Sequence, residues 1–266
     1  MPDESQGLRG PSRETAGRRL VAAVEWTCQT LWLAQRREPE LVALQEERGS
    51  LGYPHYILSR AGNLPDRDWA AALYVMPEPL VEHLRARCLA LDPPSYLVAS
   101  QAAGSLALRR LAPGAGARVL AALARDADLE GPLARAWQTF EAAADPHSQL
   151  LWAAMTLREG RAFAHYQAAR SADLDPIELL VLTATWRDGE TSSLRRLFRW
   201  DDAQLEPGRA GLERRGWLNP EGSLTEVGRT ERESLEAATS AHTDRLIAGL
   251  SGAELEELLA ELPERS

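Results

Sequence analysis

The chain has 266 residues, a formal net charge of −9 and a hydrophobic fraction of 44%, enough for one large domain or two small ones around a sizeable core. All 30 basic residues are arginine, so Schiff-base, lysine-base and P-loop lysine chemistry are excluded. The excess of acid counts against a broad nucleic-acid-binding face, no apolar run approaches a membrane span, and the charged amino terminus lacks the apolar stretch of a signal peptide; a cytoplasmic protein is expected.

Residues 1–13 are polar, contain Gly and Pro and have no periodicity, as in a disordered tail. An N-terminal helical domain is expected over 14–145. Ser12 could cap its first helix, in which Leu20, Val24, Cys28, Leu31 and Trp32 recur on one face. Pro39 to Arg48 forms a second, short helical stretch. The Gly- and Pro-rich segment Gly49 to Pro65 carries Tyr53, His55, Tyr56 and Arg60, more aromatic residues than a solvent loop holds, and is expected to pack against the core. Helical patterns follow at about 66–75, 78–91, 95–111, 115–126 and 130–144, punctuated by Pro and Gly. Cys28 and Cys88 stand far apart, outside any CxxC spacing, and read as small buried hydrophobes.

The second half is marked more sharply. A long helix spans about 147–170, and Asp175-Pro176-Ile177-Glu178 supplies an N-cap, a proline at the first helical position and a capping-box glutamate for a helix to about Trp186. Ser192 or Ser193 starts a short helix, Leu194 to Arg199. A further helical segment ends at Arg214-Arg215-Gly216. Trp217 to Leu224 reads as two short strands around an Asn219-Pro220-Glu221-Gly222 turn. Thr225 caps a helix to about Leu250, and Ser251 to Glu254 is a capping box opening a last amphipathic helix with Leu255, Leu258, Leu259 and Leu262 on one face. The fold class predicted is mainly α: an N-terminal helical domain packed on a winged helix-turn-helix over 146–250 with one small β-hairpin wing, then a C-terminal helix over 251–266.

The run Leu212, Gly216-Trp217-Leu218, Gly222, Leu224-Thr225 and Gly228 resembles the end of the recognition helix, the wing and the next helix of the MarR superfamily. Tyr56 to Leu64, Leu157-Arg-Glu-Gly-Arg161 with His165, Asp175 to Leu182 and the hairpin together resemble the actinobacterial SalK-like family of helix-turn-helix-fold proteins, found in and around specialised-metabolite gene clusters. The resemblance implies a fold more than an activity.

Operator binding of the ordinary kind is not expected. The stretch that would enter the major groove, Asp201 to Arg209, offers three carboxylates to the phosphates and contains Pro207 and Gly208, costing roughly 3 and 1 kcal/mol inside a helix. From Glu190 to Trp217 six arginines meet five acids, the balance of a solvated surface. Arg214 and Arg215 read as anchors of a helix C-terminus. If DNA is bound, Arg195, Arg196 and Arg199 are the candidates.

The candidate ligand face lies on the long helix, where Arg158, Arg161 and His165 share one side. Arginine forks beside an apolar stripe suit a small anionic or carboxylate-bearing ligand, and His165 could carry a proton near neutral pH. The structural alternative stays open: the arginines pair with acids of the N-terminal domain and His165 is a hydrogen-bonded packing residue. Tyr53, His55, Tyr56 and Arg60 are expected to close over this face, forming an interdomain pocket. No HxxxH, HExxH, GxSxG or GxGxxG motif is present, so neither a metal nor a cofactor is expected. Three functions remain: a small-molecule-binding protein, a cofactor-independent enzyme with His165 as its catalytic acid/base, and a MarR-like DNA-binding regulator. The C-terminal helices could pair in a homodimer.

Overall fold

The computed structural model describes residues 13–34, 37–49, 53–61, 64–188 and 200–263. Among them are thirteen α-helices: α1 (Arg13–Ala34), α2 (Pro39–Arg48), α3 (Tyr53–Leu58), α4 (Asp66–Ala72), α5 (Glu78–Leu89), α6 (Pro93–Leu111), α7 (Arg118–Asp126), α8 (Pro132–Gln138), α9 (Pro146–Ser171), α10 (Pro176–Asp188), α11 (Asp202–Arg214), α12 (Glu226–Ile247) and α13 (Gly252–Glu261). Ser12, Ser192, Ser193 and the expected helix from Leu194 to Arg199 lie outside the described residues.

α9 is the axis of the fold. Asp145 caps it, its carboxylate accepting from the backbone N–H groups of His147 and Ser148, and Pro146 sits where no intrahelical donor is required. Its first three turns are apolar on every side. Leu150, Leu151, Ala153, Ala154 and Met155 are all fully buried, as a helix ringed by others must be. Around it pack α1, α6, α7, α8 and α12.

The apolar residues divide into two cores. The larger joins α1 and α6–α8 to the first half of α9, the end of α12 and α13. The smaller gathers Ala169, Leu174, α10, α11 and residues 217–224, and Val75 of the first half enters it. Trp200 ties the two halves, its indole N–H donating to the Val75 carbonyl at 3.0 Å. The leucines of α13, at 255, 258, 259 and 262, are buried within the chain's own larger core, contributing about 2 kcal/mol each. A homodimer through the C-terminal helices would therefore have to use their outer faces.

Two elements differ from the sequence expectation. Residues 53–58 form a helix, not an irregular loop, and bury Tyr56 and Leu58. Helix α8 stops at Gln138 rather than near 144, because its last carbonyls are taken by side chains from elsewhere: Arg60 donates to Ala136, and the Trp152 indole to Trp137 at 2.8 Å.

Where two short strands were expected, Leu218 and Leu224 form a single antiparallel bridge. It is flanked by Asn219 N–H to Ser223 at 2.9 Å and Thr225 N–H to Trp217 at 3.0 Å. Gly216 (φ 70°) and Gly222 (φ 80°) take the left-handed conformations the chain needs to leave α11 and to turn. Gly228 is dictated by space: a Cβ there would strike the Trp217 carbonyl. No helix among the described residues is long and apolar enough to cross a membrane.

Candidate functional site

Beyond Leu157 the character of α9 changes, and its polar side chains meet α12 rather than the N-terminal helices. Arg161 donates to the Glu236 carboxylate, whose other oxygen accepts from Arg232 Nη1 at 3.0 Å. Arg232 is only 6% exposed, and its guanidinium lies 5.9 Å from the centre of the Trp186 ring. Burial pushes the Glu236 carboxyl up, but Arg161 and Arg232 outweigh it and hold it below its usual range. Two guanidiniums thus share one carboxylate.

His165, a turn further along, lies 2.9 Å through Nδ1 from the Thr239 hydroxyl. That hydroxyl gives its only proton to the Leu235 carbonyl at 2.8 Å, so it can only accept from the ring, and Nδ1 carries the imidazole hydrogen. Burial, reinforced by Arg232 and Arg161 and opposed by Glu236, lowers the His165 pKa to about 4. The ring is neutral through the physiological range, which removes the basis for a proton carrier near neutrality.

A cleft of about 660 Å³ opens beside this network, between α1, α9 and α12. Arg18 and Glu25 of α1, Arg161, Arg187, Glu236 and Asp244 supply its charges, and Ser240 a hydroxyl. Counting Arg232 behind Glu236, four arginines stand against three carboxylates. Arg158 points to a different neighbour, donating to Glu159 at 2.5 Å. Glu159 is itself buried, and burial raises its pKa against the pull of Arg158.

The N-terminal candidates are placed elsewhere. The Tyr56 hydroxyl donates to Gln101 of α6 at 2.5 Å, with its ring edge-on to Trp137 at 5.1 Å. Arg60 donates through Nε to the Ala136 carbonyl at 2.7 Å and through Nη2 to Thr139 at 2.8 Å, stacking at 5.7 Å over Phe140. Burial lowers its pKa. These bonds seat α3 on α6 and α8. The wall facing Arg161 is α1, not the 49–65 segment. Tyr53 and His55 begin α3, and their side chains lie outside the described residues.

Helices α10 and α11 cross at very short range. The Asp175 carboxylate caps α10 by accepting from Ile177 and Glu178 at 2.7 and 2.8 Å, and Glu178 answers by accepting from Asp175 N–H at 3.1 Å. Gly208 and Gly211 let α11 lie directly on this turn. A Cβ on Gly208 would stand 2.7 Å from Ile177 Cγ2, and one on Gly211 would enter the Glu178 carboxylate. The chain matches the model of a helix-turn-helix family over residues 17–265. It belongs to that family. Neither a curated protein nor a solved structure matches it.

Membership gives this helix-turn-helix protein a DNA-binding type of fold, but the surface of α11 is poorly suited to phosphate. Asp202, Gln204, Glu206, Pro207 and Glu213 are exposed, and Arg209 is turned back to Glu206 at 3.7 Å. Pro207 is inside the helix, which an Asp201–Gln204 capping box starts. Arg215 does not anchor its own helix end: it reaches across to Glu178 at 3.0 Å and the Asp173 carbonyl at 2.6 Å. Arg214 is exposed. Arg195, Arg196 and Arg199 lie outside the described residues.

Sequence reasoning missed Arg232, Glu236 and Thr239, the α12 half of the network. Their spacing of four and three residues places all three on one helix face, a signal as strong as the one that singled out Arg161 and His165.

Proposed function

We propose that this helix-turn-helix protein binds a small, carboxylate-bearing metabolite in the cleft between α1, α9 and α12. The observation that carries the reading is the charge arrangement at Arg161: Glu236 is shared between Arg161 and Arg232, leaving one arginine of the site uncompensated. An incoming carboxylate meets a guanidinium already fixed by a hydrogen bond, so little side-chain entropy is lost on binding. Glu25 and Asp244 on the same walls suit a ligand that also carries a hydrogen-bond donor. The Leu218–Leu224 bridge reads as a small, MarR-like wing, and the natural setting of such a ligand is actinobacterial specialised metabolism in the cytoplasm.

Catalysis by His165 is the weaker reading, since a neutral imidazole committed to Thr239 offers no acid at neutral pH. A DNA-binding regulator is favoured by the family and opposed by the acidic exposed face of α11.

Isothermal titration with a panel of small aliphatic and aromatic carboxylates, each paired with its amide, tests the proposal. Members of the panel are expected to bind as carboxylates and not as amides, and Ser240→Trp, which fills the cleft, is expected to abolish the heat. Equal binding of the amides, or full binding by the filled variant, would refute it.

A further inference from the structure

A second cleft, of about 500 Å³, lies between α7, α12 and α13. It is distinct from the first, because Glu236, Ser240 and Asp244 line one side of α12 while His242, Arg245 and Leu246 line the opposite side. Its walls are apolar, from Val119, Leu123 and Leu246, and its rim carries Asp126, Asp128 and Glu130. Two of its other charges are already committed. Arg118 makes a two-point pair with Glu257, and Glu254 closes the capping box with Ser251. Three carboxylates then face Arg245 alone.

The rim acids would mean little without the residue beneath them. His242 lines the same cleft, is only 7% exposed, and its Nε2 has no hydrogen-bond partner among the described residues. A buried imidazole nitrogen with no partner carries a desolvation cost that is kept only where something offsets it. Burial, then Arg245, lowers the pKa of His242 against the pull of Glu130, so the ring is neutral and offers an acceptor lone pair.

We propose that this cleft binds an organic cation, an ammonium group on an apolar body. The ammonium is held by the Asp126, Asp128 and Glu130 carboxylates above a neutral imidazole, with the hydrocarbon against Val119, Leu123 and Leu246. This site is independent of the carboxylate site and has the opposite charge preference.

Saturation-transfer NMR on the full chain with hexylammonium, hexanol and hexanoate tests it. Hexylammonium is expected to show transfer that hexanoate does not, and to lose affinity at least tenfold in Asp128→Asn/Glu130→Gln, whose changes are on exposed side chains. Ala122→Trp, at the cleft wall, should abolish transfer, while Arg161→Ala should leave it intact. Equal transfer from hexanoate, an unchanged signal in the double variant, or loss of signal in Arg161→Ala would each overturn the proposal. If Ala122→Trp does not fold, the double variant decides alone.

Discussion

Glu236 is the residue on which the α9–α12 contact turns. Removing its charge leaves Arg232 in a nearly solvent-free position without its ionic partner, so Glu236→Gln is expected to lower stability by about 1–3 kcal/mol. Arg161→Ala removes a more exposed group and leaves the Arg232–Glu236 pair intact, and should cost less than about 1 kcal/mol; urea denaturation of both variants measures the difference, and a larger loss in Arg161→Ala would contradict this ranking. His165 gives a pH signature. Its folded pKa of about 4 lies below the model value of 6.5, so the folded state prefers the neutral ring. The stability that preference contributes is fully present above pH 6.5 and is lost as pH falls through 4, up to about 3 kcal/mol. His165→Asn, which keeps a donor for Thr239, should flatten the pH profile across that window in thermal unfolding. A variant profile parallel to the parent would show that His165 is not the titrating group.

At the level of elements, the contact between α10 and α11 is the most specific in the molecule. Gly211→Ala would gain about 1 kcal/mol of helix propensity but drives a methyl group into Glu178, the residue that closes the α10 cap and receives Arg215. A net loss of about 1–3 kcal/mol is expected, with weakened protection of α10 amides in hydrogen exchange; a stabilised Gly211→Ala would mean that the helices do not approach this closely. These elements also show what a sequence can reveal. The capping boxes at Asp175–Glu178 and Ser251–Glu254 are complete within four residues and were readable without any tertiary knowledge, as were Gly216 and Gly222 as turn residues. The end of α8 was not, because Arg60 and Trp152, distant in sequence, take its carbonyls. The site divides in the same way. Spacing on α9 exposed Arg161 and His165, while their partners Glu236 and Thr239 stand more than seventy residues further on. The expectation that the 49–65 segment roofs this face failed because its aromatic residues serve α6 and α8 instead.

Over the whole molecule, one family fold carries two clefts of opposite charge preference, flanking α12, the helix that leads away from the Leu218–Leu224 bridge. The face of α11 that a DNA reader would present is acidic, and its nearby arginines 209 and 215 are spent on Glu206 and Glu178. A fragment of the neighbouring promoter is therefore expected to show no retardation between about 50 and 200 mM salt. A salt-dependent shift lost on changing Arg195 and Arg196 would restore the regulator reading. The central claim is the carboxylate site at Arg161, and native mass spectrometry of the protein purified without denaturant tests it most directly. The account predicts a small acidic molecule retained by the parent and by Ala122→Trp but missing from Arg161→Ala. A bare parent mass, or an adduct that survives Arg161→Ala, would contradict it.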